Sequence, residues 1–215
     1  MNNYCIFIYN QNEFKMIYMS LLMLIATLFS SSAPQEADVF NTSEYLDFAM
    51  QQVGKTLNVS FDPDYTPRYI KPGDTAWSTS NPNDWTSGFW PGILWYMYEY
   101  SQDPHIREMA HNWAMPIEKA KNRVRPNHDL CFMVFNSFGH GYRLTGKDEY
   151  LPIILETADS LAVWFNPKAG TILSWLWARE TYGWSHNTII DNMMNLELLF
   201  WAARNGGDKD TMILL

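Results

Sequence analysis

The sequence predicts an all-α fold built from helix pairs, a helical array or an α/α toroid. Three observations predict it. Short alternating runs of β-branched residues, the mark of strands, are almost missing. Segments that are apolar nearly all round alternate with amphipathic ones. A short turn bearing Gly or Asp follows an apolar segment three times: SQDP at 101–104, TGKDEY at 145–150 and NGGDKD at 205–210. Asp103, Lys147 and Asp208 mark the repeat at intervals of 44 and 61 residues. In such an array the all-round apolar helices are inner and the amphipathic ones outer.

Residues 1–33 read as a secretory signal peptide rather than a membrane anchor. MIYMSLLMLIATLF (16–29) follows Lys15, and SSSA (30–33) supplies small residues for cleavage after Ala33. The run is short for a membrane span and lacks a stop-transfer flank. The mature part is then 34–215, secreted or periplasmic. It keeps only Cys131 of the two cysteines, so it has no internal disulfide.

SEYLDFAMQQVGKTL (43–57) predicts an amphipathic helix with a Ser cap and Tyr45, Phe48, Ala49 and Val53 on its apolar face. Residues 58–86 form a long polar loop containing Tyr65, Tyr69, Trp77 and Trp85, and a loop of that length argues for function. Apolar helices follow at 89–100, 129–144 and 187–204. More polar or amphipathic ones lie at 104–122 and 148–165, the latter with Tyr150, Ile153, Ile154, Leu155, Ala158 and Leu161 on one side. The last turn leads into an outer helix that is only beginning at Leu215.

Composition narrows the function. Aromatic residues make up 16% of the 215 residues, with 10 Trp, a density that suits a sugar-binding cleft as well as a large core. A net charge of −8 with no basic stripe excludes a nucleic-acid partner. No HxH, HExxH or Cys/His cluster appears, so no metal or other cofactor is expected. No GxSxG is present, and Cys131 has no evident base beside it, which disfavours Ser or Cys nucleophilic catalysis.

Three stretches place polar groups at the starts of inner helices, where a toroid gathers them at one end: NDWTSGFWPG (83–92), NHDLCF (127–132) and HNTIIDNMMNLE (186–197). Any one Asp or Asn here could simply cap its helix. Asp129 and Asp191, however, lie 62 residues apart, about one helix pair. Neighbouring inner helices would bring the two carboxylates together. Like charges in an apolar setting leave one acid protonated and one ionised, the division of labour of a glycosidase. The helix dipole at the start of 187–204 acts on Asp191 in the opposite sense. His128 beside Asp129 could orient a group or donate to a substrate; His140 and His186 are weaker candidates.

DWTSGFWPGILWYMYEY, HDLCFMVFNSFGHGYRLTG and IIDNMMNLELLFWAA, in that order, resemble glycoside hydrolase family 88, the unsaturated glucuronyl hydrolases. The resemblance runs from about Ser43 to the end. It implies an (α/α)6 barrel of twelve helices, of which about the first half is here. It also implies removal of the unsaturated uronic acid that lyases leave at the non-reducing end of oligosaccharides. In that chemistry an Asp protonates C4 of the C4=C5 enol ether, water adds at C5, and the hemiketal opens and expels the remaining sugar. By resemblance Asp191 is the general acid/base, Asp129 the second essential acid, and His128 lies in the same site. Trp85 and Trp175 match sugar-stacking aromatics, with Trp177 an alternative to Trp175. Two other readings stay open: family 105, the unsaturated rhamnogalacturonyl hydrolases, and a non-catalytic helical carbohydrate-binding or scaffold protein. The resemblance implies further helices that carry His, Gln and Arg residues toward the substrate. Residues 34–215 are therefore expected to be unstable or inactive alone, with inner-helix surface exposed.

Overall fold

The protein is described here from a computed structural model, over residues 41–59, 62–122 and 128–209. The expected signal peptide at 1–33, Asn127 and the outer helix expected after Asp210 lie outside the described residues. Residues Ser43–Leu215 form one compact unit. No described helix is long and apolar enough to cross a membrane.

The architecture is mostly helical, as predicted. In chain order come α1 (Thr42–Leu57), β1 (Thr66–Tyr69), β2 (Ser78–Ser80), α2 (Phe89–Ser101) and α3 (Pro104–Ala114). A 3₁₀ segment (Met115–Asn122), a π-helix (Cys131–Gly139), α4 (His140–Thr145) and α5 (Tyr150–Ala162) follow. Then come β3 (Phe165–Asn166), β4 (Thr171–Ile172), α6 (Trp177–Tyr182) and α7 (Asn192–Arg204). One layer contains α2, the π-helix with α4, and α7, packed side by side in chain order. The second contains α3 with its 3₁₀ extension, and α5, which packs against both the π-helix and α7. These are successive hairpins of an α/α toroid, and the described residues do not close into a ring.

Local chemistry explains the hairpin turns. Gln102 ends α2 in a left-handed conformation (φ 56°), and its N–H donates to Tyr98 O. The Asp103 carboxylate then accepts from His105 N at 2.8 Å, and Pro104 opens α3. Gly146 (φ 64°) ends α4 in the same left-handed way. Helix α3 gives way to the tighter 3₁₀ form at Met115, because Pro116 cannot donate within an α-helix.

The core lies between the layers. Leu94, Trp95, Ile117, Leu130, Met133, Phe138, Tyr150, Ile154, Leu161, Leu198 and Leu199 are its largest fully buried side chains. The face predicted for α5 is the buried one, except that Leu155 is half-buried and Thr157 joins it. The face predicted for α1 is only partly right. Val53 is buried and Ala49 packs against the core, but Tyr45 and Phe48 are 58% and 61% exposed, and Leu46, Met50 and Leu57 take their place.

Four further expectations change. The loop at 58–86 contains an antiparallel hairpin, β1–β2, with an irregular register between Pro67 and Tyr69. A second hairpin, β3–β4, has two residues per strand. Strands this short show no alternation in sequence. The apolar helix expected at 187–204 begins only at Asn192, and 129–144 is mostly π-helix.

Gly88 sets the distance between α2 and the π-helix. A Cβ there would lie 2.1 Å from Phe132 O and 2.3 Å from Met133 O, both backbone atoms that cannot rotate away. Gly88→Ala is expected to destabilise by about 2–3 kcal/mol, lowering the melting temperature by roughly 5–10 °C. Gly54→Ala, whose Cβ would meet nothing within 4 Å inside α1, is the control and should hold or raise it. Thermal unfolding followed by circular dichroism measures both.

Candidate active site

Two helix starts build the site. Asp129 lies in the turn that opens the π-helix, where its carbonyl accepts from Met133 N at 3.1 Å. Asp191 occupies the N-cap position of α7 (φ −67°, ψ −13°). Its side chain makes no capping hydrogen bond. The capping role open to any helix-start Asp is therefore not what this carboxylate does.

It turns toward His128 instead. The His128 Nε2 lies 3.2 Å from Asp191 Oδ1 and 3.4 Å from Oδ2, and 3.4 Å from Asp129 Oδ1. His128 is 2% exposed, whereas the Asp129 and Asp191 side chains are 16% and 32% exposed. One Nε2 proton cannot point along both lines at once, so the imidazole bridges two acceptors that compete for it. Its Nδ1 is buried and has no hydrogen-bond partner among the described residues. The result is a buried donor behind two carboxylates that still reach solvent, a set able to hold and relay a proton.

The same three residues are the set that could hold a cation, each offering one ligand atom within 4.8 Å of the others. Local metal motifs do not reveal it, because Asp191 is separated from His128 and Asp129 by a whole hairpin.

The remaining expected groups fall as follows. Trp85 is 45% exposed, edge-on to Phe89 (6.1 Å) and Phe132 (6.2 Å). It lines a cleft of about 300 Å³ with Arg68, Trp77, Phe89 and Ile93. Phe132 connects this cleft to the π-helix that starts beside Asp129. Asp84, in the first motif, is structural: its Oδ1 accepts from Thr86 N (2.9 Å) and Thr86 Oγ1 (2.6 Å). Trp175 stacks on Trp177 at 5.5 Å and 27°, so the two candidates belong to one aromatic group, with Trp177 the more exposed. His140 packs on the Tyr96 ring at 4.6 Å, and burial lowers its pKa. His186 Nε2 meets Thr171 Oγ1 at 2.8 Å. Neither joins the His128 cluster.

Ser174, Asn187, Asn192 and Asn195 had no role expected from the sequence. Trp175 N donates to Asn187 Oδ1, and Asn187 Nδ2 donates back to Trp175 O, both at 2.9 Å. Asn192 Nδ2 donates to Ser174 Oγ at 2.8 Å, and Asn195 Nδ2 to Asn192 Oδ1 at 2.7 Å. Polar residues recurring inside an apolar helix were the available signal.

No protein-family model matches the chain. It is 39% identical over 127 residues to an unsaturated glucuronyl hydrolase of Formosa agariphila, covering 59% of this chain and 31% of that protein. It is 32% identical over 176 residues to an unsaturated chondroitin disaccharide hydrolase of Streptococcus pneumoniae, covering 78% and 43%. It is similar to unsaturated glucuronyl hydrolases and unsaturated chondroitin disaccharide hydrolases. A solved unsaturated glucuronyl hydrolase specific for heparin superposes with a TM-score of 0.72 at 33% identity, covering 80% of this chain and 44% of that one. A variant of the Streptococcus agalactiae enzyme, solved with dGlcA-GalNAc6S, superposes at 0.56 and 25% identity. The chain thus spans less than half the length of the glucuronyl hydrolases it matches.

Cys131 sits two residues from Asp129 and is 1% exposed. Burial pushes its thiol up to about 12, with the Glu197 charge adding to the effect. It stays protonated and unreactive. In a Cys5→Ser background, a thiol reagent at pH 8 is expected to label the native chain roughly 10³-fold more slowly than free cysteine. Labelling should become fast on denaturation.

Proposed function

We propose that this site hydrates the enol-ether double bond of a 4,5-unsaturated glucuronic acid at the non-reducing end of a lyase-generated oligosaccharide. The carrying observation is the Asp191 carboxylate, placed at a helix start without capping it and joined by His128 Nε2 to Asp129. The chain's likeness to unsaturated glucuronyl hydrolases supports the same reading.

The protonated Asp191 carboxyl gives its proton to C4. Water then attacks C5, and its proton returns to the Asp191 carboxylate, restoring the acid. The hemiketal at C5 opens to a ketone, and the hemiacetal left at C1 releases the remaining sugar as an alcohol. Asp129 shares the His128 proton, so His128 can strengthen its bond to Asp191 when that carboxylate is ionised. Trp85 in its cleft, and the Trp175–Trp177 stack, offer flat faces for sugar rings. We place the mature protein outside the cytoplasm, secreted or periplasmic, on the apolar run at 16–29 followed by the SSSA cleavage pattern.

The test runs under single-turnover conditions, with the 215-residue chain in excess over an unsaturated chondroitin disaccharide, following the enol-ether absorbance. Any loss of absorbance by this chain alone is expected to be slow, and Asp191→Asn should reduce its rate by about 10²–10⁴-fold. Loss that survives Asp191→Asn contradicts the assignment. Disaccharide binding with no turnover in either protein leaves the carbohydrate-binding reading standing, which the exposed tryptophans would also serve.

A further inference from the structure

We propose that Asn195 is a positioning residue, which sets the register of α7 against the π-helix and so holds Asp191 at His128. The functional half of this claim rests on the hydrolase reading; the structural half does not.

Asn195 is fully buried in a helix whose neighbouring core positions are Leu198, Leu199 and Ala202. A buried amide carries a cost unless its groups are paired, and an apolar side chain of similar size avoids that cost. Its pairing here is specific. Asn195 Oδ1 accepts from Cys131 N at 3.4 Å, a donor at the π-helix start where backbone N–H groups lack partners within the helix. Asn195 stands one helical turn after Asp191, on the same face. Cys131 stands just after His128 and Asp129. The Asp191–His128 contact and the Asn195–Cys131 bond are therefore two successive rungs between the same two elements. They join residues 63 and 64 apart in the chain. A slide or rotation of α7 that opened the first rung would break the second.

The second rung is tied outward as well. Asn195 Nδ2 donates to Asn192 Oδ1 at 2.7 Å, and Asn192 Nδ2 reaches Ser174 Oγ at 2.8 Å and Ile172 O at 3.1 Å. Ser174 Oγ also accepts from Ile189 N at 3.0 Å. One polar frame thus holds the segment before Asp191, the segment carrying Trp175 and the start of the π-helix. The geometry separates two tasks: Asp191, His128 and Asp129 meet the reacting groups, and Asn195 fixes where they meet.

The test compares Asn195→Leu, which removes both bonds, with Asn195→Asp, which keeps an acceptor for Cys131 N. Asn195→Ser runs in parallel, so that a folding failure of the leucine variant leaves the test standing. The first readout is the 15N spectrum of the His128 imidazole in the 215-residue chain, assigned with His128→Gln, and its titration with pH. Leu and Ser are expected to shift both; Asp, which retains the acceptor for Cys131 N, should keep the His128 spectrum nearer the wild type. The second readout is the single-turnover rate. Leu and Ser should lower its saturating value by about 10–100-fold while the half-saturating disaccharide concentration stays within about twofold, and Asp should recover part of the rate. An unchanged His128 spectrum and titration in folded Leu or Ser variants overturns the proposal. Shifted His128 signals in a chain with no turnover uphold the positioning independently of the hydrolase reading.

Discussion

The buried imidazole of His128 between two carboxylates is the constraint around which the rest of this unit is arranged. A buried donor with two acceptors on different elements has a defined energy only if those elements hold still. Removing one member of such a set leaves a polar group in the interior without its partner, at a cost of about 1–3 kcal/mol, a sizeable fraction of a small domain's stability. The backbone contact at Gly88 brings α2 against the π-helix that follows His128. The Asn195–Cys131 bond holds α7 to the same helix start. The second removes one direction in which the carboxylates could separate.

Apolar surface serves two purposes in this fold. The inward faces of α2, the π-helix, α5 and α7 form the core. Other large side chains stay exposed along α7 and just before it: Ile190 at 87%, Met193 at 62%, Met194 at 41% and Phe200 at 48%. On α2, Ile93, Tyr96 and Tyr100 do the same. An inner helix of a toroid is apolar on several sides because it meets neighbours on several sides. The exposed faces of α2 and α7, at the two ends of the packed series α2, π-helix, α7, fit that pattern.

Asp191 shows how one position can satisfy two descriptions. By position it is an N-cap, and helix starts favour Asp there. Its oxygens nevertheless point to His128, and the capping bond is not made. The helix start then contributes its location at the end of the packed layer rather than a partner for the carboxylate. Cys131, a few residues from the same site, shows the opposite outcome: burial takes away the reactivity its side chain would otherwise have.

Much of this was legible in the chain itself. Turn chemistry at Gln102–Pro104 and Gly146, and the apolar periodicity of 148–165, determined helix boundaries and the buried face of α5, since both are local effects. The likeness of the three motifs singled out Asp129, Asp191, His128 and Trp85. What the chain could not show was set by distance. The β1–β2 and β3–β4 hairpins are too short to carry a period. The exposed side of α1 depends on what α1 meets. The π-helix at 131–139 has no local sequence signature, and Trp175 and Trp177 are distinguished only by exposure. Above all, a set of three groups drawn from residues 128, 129 and 191 exists only once α7 lies against the π-helix. Hydrogen-bond geometry between distant segments is a property of packing, and only the tertiary structure could decide that Asp191 faces a histidine rather than its own helix.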